Sequence, residues 1–265
     1  MPMSNRSFFH FSALPMSTRM VYTMTLLVLG TGYLFAMLQV FFSHAGLDGN
    51  KNLSAEDIRI AYHGSESDSR LETALKGPMA GMLPAEERAV IFKWVKAGSA
   101  ADAFDKDVKP ILESRCLACH NGSNPHIPVL TSYQEVSKVV AKDTGATIPT
   151  LVRVSHIHLF GITFIFFIIS SIFTHAYIRP LWLKCVIIVL PFLTILTDIF
   201  SWYLTKWIPG FAWFIIGSGA LMGISFSVQW VVSMWQMWFY KLPKEMEECG
   251  GTLPEFGRKS NTQNF

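Results

Sequence analysis

Four stretches of this chain stay apolar for longer than a globular core helix requires. The first is Val21 to Ser43, "VYTMTLLVLGTGYLFAMLQVFFS". The others run from about Val154 to Ile178, Leu181 to Leu204 and Gly210 to Tyr240. A helix needs about 20 residues to cross the hydrocarbon core of a bilayer, so each stretch predicts a membrane span. At a rise of 1.5 Å per residue the fourth would measure roughly 45 Å, which predicts tilt or protrusion from the membrane. The first segment exceeds the roughly 7 to 15 residues of a signal-peptide core. It reads as an uncleaved anchor, although "SHAG" at 43–46 offers a peptidase small residues.

Between the first and second spans the pattern changes to short helical signals and loops. "LSAEDIRIAY" at 53–62 sets Ser54 as an N-cap with Asp57 three residues on, close to a capping box. "LPAEERAVIFKWVKAG" at 83–98 begins with Pro84 and acidic residues and ends on Gly98, with Ala89, Ile91, Phe92 and Val95 on one expected core face. Residues 102–116 predict a third helix and 132–142 a fourth, and no alternating strand pattern is present. The predicted fold class is therefore all-α, with four transmembrane helices and a small helical domain inserted between spans one and two. The expected boundaries are 1–20 for an N-terminal arm, 21–43 for span one and 44–153 for the inserted domain. Residues 154–240 form a three-helix membrane region and 241–265 a polar tail.

Composition sharpens this division. Of the 265 residues, 51% are hydrophobic and 15% charged, against about a quarter charged in soluble domains. Only Arg179, Lys184, Asp198 and Lys206 are charged between 154 and 240. A net charge of +3 without a basic cluster gives no reason to expect a nucleic-acid partner. Cationic residues near span ends set orientation. Arg6 and Arg19, Arg179 and Lys184, and Lys241 and Lys244 all fall on one side if that side is the cytoplasm. Both termini are then cytoplasmic, and residues 44–153 face outward, into the periplasm of a bacterial inner membrane.

The inserted domain carries "RCLACHNGSNPH" at 115–126. Cys116, Cys119 and His120 form C-x-x-C-H. A disulfide is compatible with an outward domain. A zinc site needs further ligands, but Cys185 lies within a span and Cys249 in the tail. A thioredoxin-type pair needs a βαβ context that is missing. Covalent haem attachment needs no more cysteines, because two thiols bond the haem vinyl groups and the adjoining histidine binds iron. The stretch "VKPILESRCLACHNGS" at 108–123 resembles c-type cytochrome domains with a P-I-L lead-in to C-x-x-C-H, found in membrane-associated electron-transfer proteins. The resemblance covers about 16 residues. It implies a cytochrome c-like domain with one covalent haem c on Cys116 and Cys119, and His120 as proximal iron ligand.

Such domains usually supply a methionine downstream as the sixth ligand, and here none lies between His120 and the second span. Distal candidates are His63, Met79, Met82, His156 and His158. His126 is only six residues from His120, an awkward reach to the opposite haem face. A histidine is the favoured expectation, and it would set a lower potential than methionine. A five-coordinate iron is the remaining case.

The spans carry polar residues that ask for partners. His44, His156 and His158 cluster at predicted outer ends and His175 at an inner end, so two sites on opposite sides of the bilayer are one reading and interfacial placement the other. Asp198, toward the outer end of span three, is costly in a membrane and predicts a partner such as Lys206 or a histidine. It is a speculative catalytic residue for quinol oxidation. Gly219 and Gly223 form G-x-x-x-G, which predicts close helix packing, and Pro191 predicts a kink.

The function expected is single-electron transfer on the outer face by a membrane-bound c-type cytochrome. It reads as a carrier within a larger respiratory or oxidising membrane complex, exchanging electrons with that complex or a soluble periplasmic protein, rather than as a free-standing enzyme. Two alternatives remain open. One is a quinol-oxidising subunit, with haem b or quinol bound in the membrane. The other is a haem-based redox or gas sensor or structural subunit.

Overall fold

The computed structural model describes residues 7–125, 127–243 and 252–254. Arg6, His126, Lys244, Cys249 and most of the polar tail lie outside the described residues. The architecture is helical, with one minor departure from an all-α expectation: β1 (Ser7–Phe9) pairs antiparallel with β2 (Thr252–Pro254). The long helices are α1 (Met16–His44), α7 (Ile148–Phe173), α8 (Leu181–Trp207) and α9 (Ala212–Trp238). All four are long and apolar enough to cross a membrane. Between α1 and α7 lie α2 (Ala55–His63), α3 (Arg70–Lys76), α4 (Ala85–Lys96), α5 (Lys109–Arg115) and α6 (Tyr133–Val140).

Several limits differ from those read in sequence. The second span starts at Ile148 and stops at Phe173, so His175 sits in the turn beyond it rather than on the helix. Lys184 Nζ donates to the Thr174 carbonyl at 2.6 Å and satisfies backbone freed at that end. The helix expected over 102–116 forms as one uninterrupted helical run over 101–115, with its middle turn widened. Ala101–Ala103 leads into a π-type turn over Phe104–Val108 before α5 begins. Pro110, in the first turn of α5, has no amide to donate, and its ring crowds the carbonyl four residues back, so the turn widens there.

The chain forms two compact units, 36–155 with 198–216, and the remainder. In the second of these, parts of all four long helices pack on Leu26, Phe166, Ile169, Phe173, Phe226 and Met237. Gly223 is where a methyl would fall 2.8 Å from Tyr33 Oη, so half of the predicted G-x-x-x-G is a true close approach. Gly219 has open space around it. Gly30 makes an equivalent contact, its missing Cβ 2.8 Å from Trp230 Nε1. Two buried glutamines inside this unit are fully engaged. Gln229 is fully buried and donates to the Ile187 carbonyl at 3.0 Å, while its Oε1 accepts from Ser170 Oγ at 2.8 Å. Gln236 holds Tyr177 through both backbone groups, at 2.6 and 2.9 Å.

The other unit contains the inserted domain. Ser54 and Asp57 make the capping box read from sequence. A second box, Ser69 with Glu72, starts α3, and "SRLE" is the capping-box pattern. The core joins Leu75, Leu83, Ile91, Trp94, Phe104 and Leu112. On α4, Ile91 and Trp94 are the buried positions, Phe92 and Val95 are half-buried, and Ala89 is exposed. Trp94 was absent from the expected core face; its indole donates to the Ala100 carbonyl at 2.9 Å, which lets the ring be buried.

Within the same unit the C-terminal end of α8 is tied to the inserted domain by Lys206. Its ammonium donates to the carbonyls of Tyr62, Thr144 and Ala146 at 3.3, 3.0 and 2.6 Å. In return, the Lys206 carbonyl accepts from His63 Nδ1 at 2.9 Å. Lys206→Met keeps the apolar stem and removes all three donations. It is expected to destabilise the inserted domain by about 2 kcal/mol, because carbonyls lose a charged donor. Limited proteolysis should then cut residues 44–147 faster while the helices beyond stay resistant. An unchanged cutting rate would show that the lysine carries no stability.

Candidate functional site

The C-x-x-C-H segment continues α5 by one turn. The Cys116 amide donates to the Leu112 carbonyl at 2.8 Å. The Cys116 carbonyl in turn accepts from the amides of Cys119 and His120, at 3.1 and 2.9 Å. The two thiols therefore sit one helical turn apart, followed at once by the imidazole. Both cysteines are free thiols, Cys116 half-buried against the domain core and Cys119 exposed. Burial and, to a lesser extent, the Glu87 carboxylate push the Cys116 thiol up. A reactive redox pair needs a thiol shifted down instead.

The following loop folds back over His120. Gly122 adopts φ 92°, which a side chain resists, and this reverses the chain. The Leu130 amide then donates to the His120 carbonyl at 3.0 Å. Pro128 presents its carbonyl to His120 Nδ1 at 2.7 Å. A carbonyl only accepts, so Nδ1 carries a proton, and in the neutral ring that tautomer leaves the lone pair on Nε2. That is the arrangement of a metal-binding histidine whose second nitrogen is fixed by an outer hydrogen bond. The donor set suits haem c: one oriented imidazole nitrogen next to two unpaired thiols on a helical turn. Among the described residues no three His, Cys, Asp or Glu side chains converge as a metal-ion site.

The distal candidates separate clearly. Met79 is half-buried and packs on the same core cluster that receives Cys116 and Leu117. Met82 is 63% exposed. His63 spends Nδ1 on the Lys206 carbonyl. His156 and His158 belong to the other compact unit, His156 lying edge-on to Phe160 with centroids 5.1 Å apart. Met79 was a candidate in sequence, but nothing in the pattern singled it out, because its role as a core contact depends on how α3 and α4 pack.

Asp198 is buried in the C-terminal half of α8. The Lys206 ammonium proposed as its partner is taken up by backbone carbonyls. Sequence reasoning missed Tyr62, which stacks on Trp202 at 5.7 Å and beneath His44 at 6.4 Å. Its phenol is pushed above its usual range by burial and by the negative charge of Asp198. His175 Nδ1 donates to the Phe9 carbonyl at 2.8 Å.

Residues 144–244 match a family described as a transmembrane helical domain. The match takes in α7, α8 and α9 and leaves the C-x-x-C-H segment and α1 outside. No curated protein and no solved structure matches the chain.

A raised Tyr62 pKa makes the folded domain hold its phenol proton while the unfolded chain loses it near 10.0. Stability from this source is complete below that value and declines as pH rises above it. Between about pH 8 and pH 11, wild type should therefore lose more thermal stability than Tyr62→Phe. Equal losses in the two proteins would remove Asp198 and burial as influences on this phenol.

Proposed function

We propose that the protein is a membrane-bound c-type cytochrome that passes single electrons at the outer face of a bacterial inner membrane. The observation that carries this reading is the 2.7 Å bond from His120 Nδ1 to the Pro128 carbonyl, beside the free thiols of Cys116 and Cys119. Haem c, when bound, supplies reversible one-electron chemistry at its iron. The residues do the rest. Cys116 and Cys119 hold the macrocycle covalently through thioethers. His120 would offer Nε2 from a ring oriented by the Pro128 carbonyl, on backbone anchored by the Leu130 amide. Cys116 and Leu117 lean on the apolar core, which keeps water from one side of the site.

Met79 is the distal ligand this reading favours, in place of the histidine expected from sequence. Its support is the shared core with Cys116. The potential then lies higher than bis-histidine ligation would set. Three further spans exceed what an anchor needs, which supports docking to a larger membrane complex. The cationic residues at span ends support cytoplasmic termini and an outward haem domain.

The quinol-oxidising alternative keeps one supporting observation, the buried Asp198 whose charge reaches Tyr62. Reduction of the isolated protein by quinol, abolished in Asp198→Asn, would favour it; reduction unaffected by that change would dismiss it.

Cys116→Ala with Cys119→Ala is expected to abolish the haem stain that the wild-type band keeps after denaturing electrophoresis. A wild-type band without stain would end the reading. Met79→Ala should keep the covalent stain but lower the reduction potential and admit carbon monoxide. If Met79→Ala leaves both the potential and carbon monoxide binding as in wild type, Met79 is no ligand.

A further inference from the structure

One cationic feature of the inserted domain has no part in electron transfer. The loop that leaves α1 meets the turn after α3 at close range. A Cβ on Gly46 would lie 3.1 Å from the Lys76 carbonyl, and one on Gly77 would lie 2.8 Å from Leu47 Cδ2. Just beyond this contact is a pocket of about 370 Å³, lined by Gly49, Asn50, Lys51, Lys76, Gly81 and Arg88, with Ala80. Its size falls within the range of small-ligand sites.

Three of the lining side chains are cationic and none is acidic. Asp48, next to the pocket, is turned to the Asn50 amide, Asn50 Nδ2 and Ser54 Oγ at 2.7, 3.1 and 3.0 Å. Asp68 pairs with Lys76 at 2.5 Å. Glu87 pairs with Arg115 at 3.0 Å. Arg88 spends Nη1 on a long 3.3 Å bond to the Leu75 carbonyl, while its Nε is buried with no hydrogen-bond partner. Arg88 is partly exposed, but this one donor atom is cut off from acceptors, which is costly and is relieved by a water, ion or ligand that reaches it. Gly49 and Gly81 leave open space where side chains would otherwise stand.

We infer that this pocket binds a phosphate-like oxyanion, with Arg88 and Lys51 as its principal donors. The pocket begins five residues after His44, the last residue of an apolar helix whose Phe41 and Phe42 are exposed. That placement favours the phosphate of an anionic lipid headgroup over a free anion. The inference is independent of haem attachment.

The test is calorimetric titration of the full chain in neutral detergent with inorganic phosphate, dihexanoyl phosphatidylglycerol and dihexanoyl phosphatidylcholine. Binding of phosphatidylglycerol is expected, weakened about tenfold or more by Arg88→Gln and by Lys51→Gln, and unchanged by Lys93→Gln on the exposed side of α4. Stronger binding of phosphatidylglycerol than of phosphate identifies the headgroup; equal binding identifies a free oxyanion at the same site. Lys51 is exposed, so its variant reports even if Arg88→Gln fails to fold. Absence of binding, or binding that survives both variants, overturns the inference.

Discussion

Hydrocarbon offers no hydrogen-bond partner, and that single constraint orders this chain. Backbone groups of the four long helices are satisfied within each helix. The two buried glutamines of the helical unit find partners there too. Gln229 takes Ser170 and the Ile187 carbonyl, and Gln236 takes both backbone groups of Tyr177. The same rule holds at the helix ends. Lys184 closes the turn after α7, and Lys206 gathers three carbonyls of the inserted domain. Lys184 and Lys206, isolated charges in the sequence, thus serve as donors to backbone carbonyls.

The inserted domain solves a different problem. Residues 44–153 must bury a core with short helices, and the capping boxes at Ser54 and Ser69 start two of them. The core then holds the helix that ends in Cys116, Cys119 and His120. The loop that reverses at Gly122 brings the Pro128 carbonyl to the imidazole. Orientation of the imidazole is built by backbone geometry, so the proposed ligand arrangement exists before any prosthetic group arrives. The match of residues 144–244 to a transmembrane helical domain belongs to the other part of the chain, so the two parts carry separate signals of membrane placement and chemistry.

Much of this was legible in the sequence, because long apolar runs and C-x-x-C-H are local patterns. Span existence and the Ser54 box needed no tertiary information. What escaped was set by distance in space. Pro128 is an unremarkable loop residue until the chain folds back on His120. Met79 reads as a gap-filler until α3 and α4 pack together. The ammonium of Lys206 reaches carbonyls 60 or more residues away, which no local pattern announces. The π-type turn at Phe104–Val108 was missed because periodicity alone reads 102–116 as one helix. The Ser69 box, by contrast, was a local signal left unused.

The most direct test of the central claim is pyridine haemochrome quantitation on the purified chain, joined to a reduced-minus-oxidised spectrum. The account predicts one haem c per chain and a spectrum of a single low-spin centre. Protein free of haem c, with Cys116 and Cys119 recovered as thiols or as a disulfide, would contradict it.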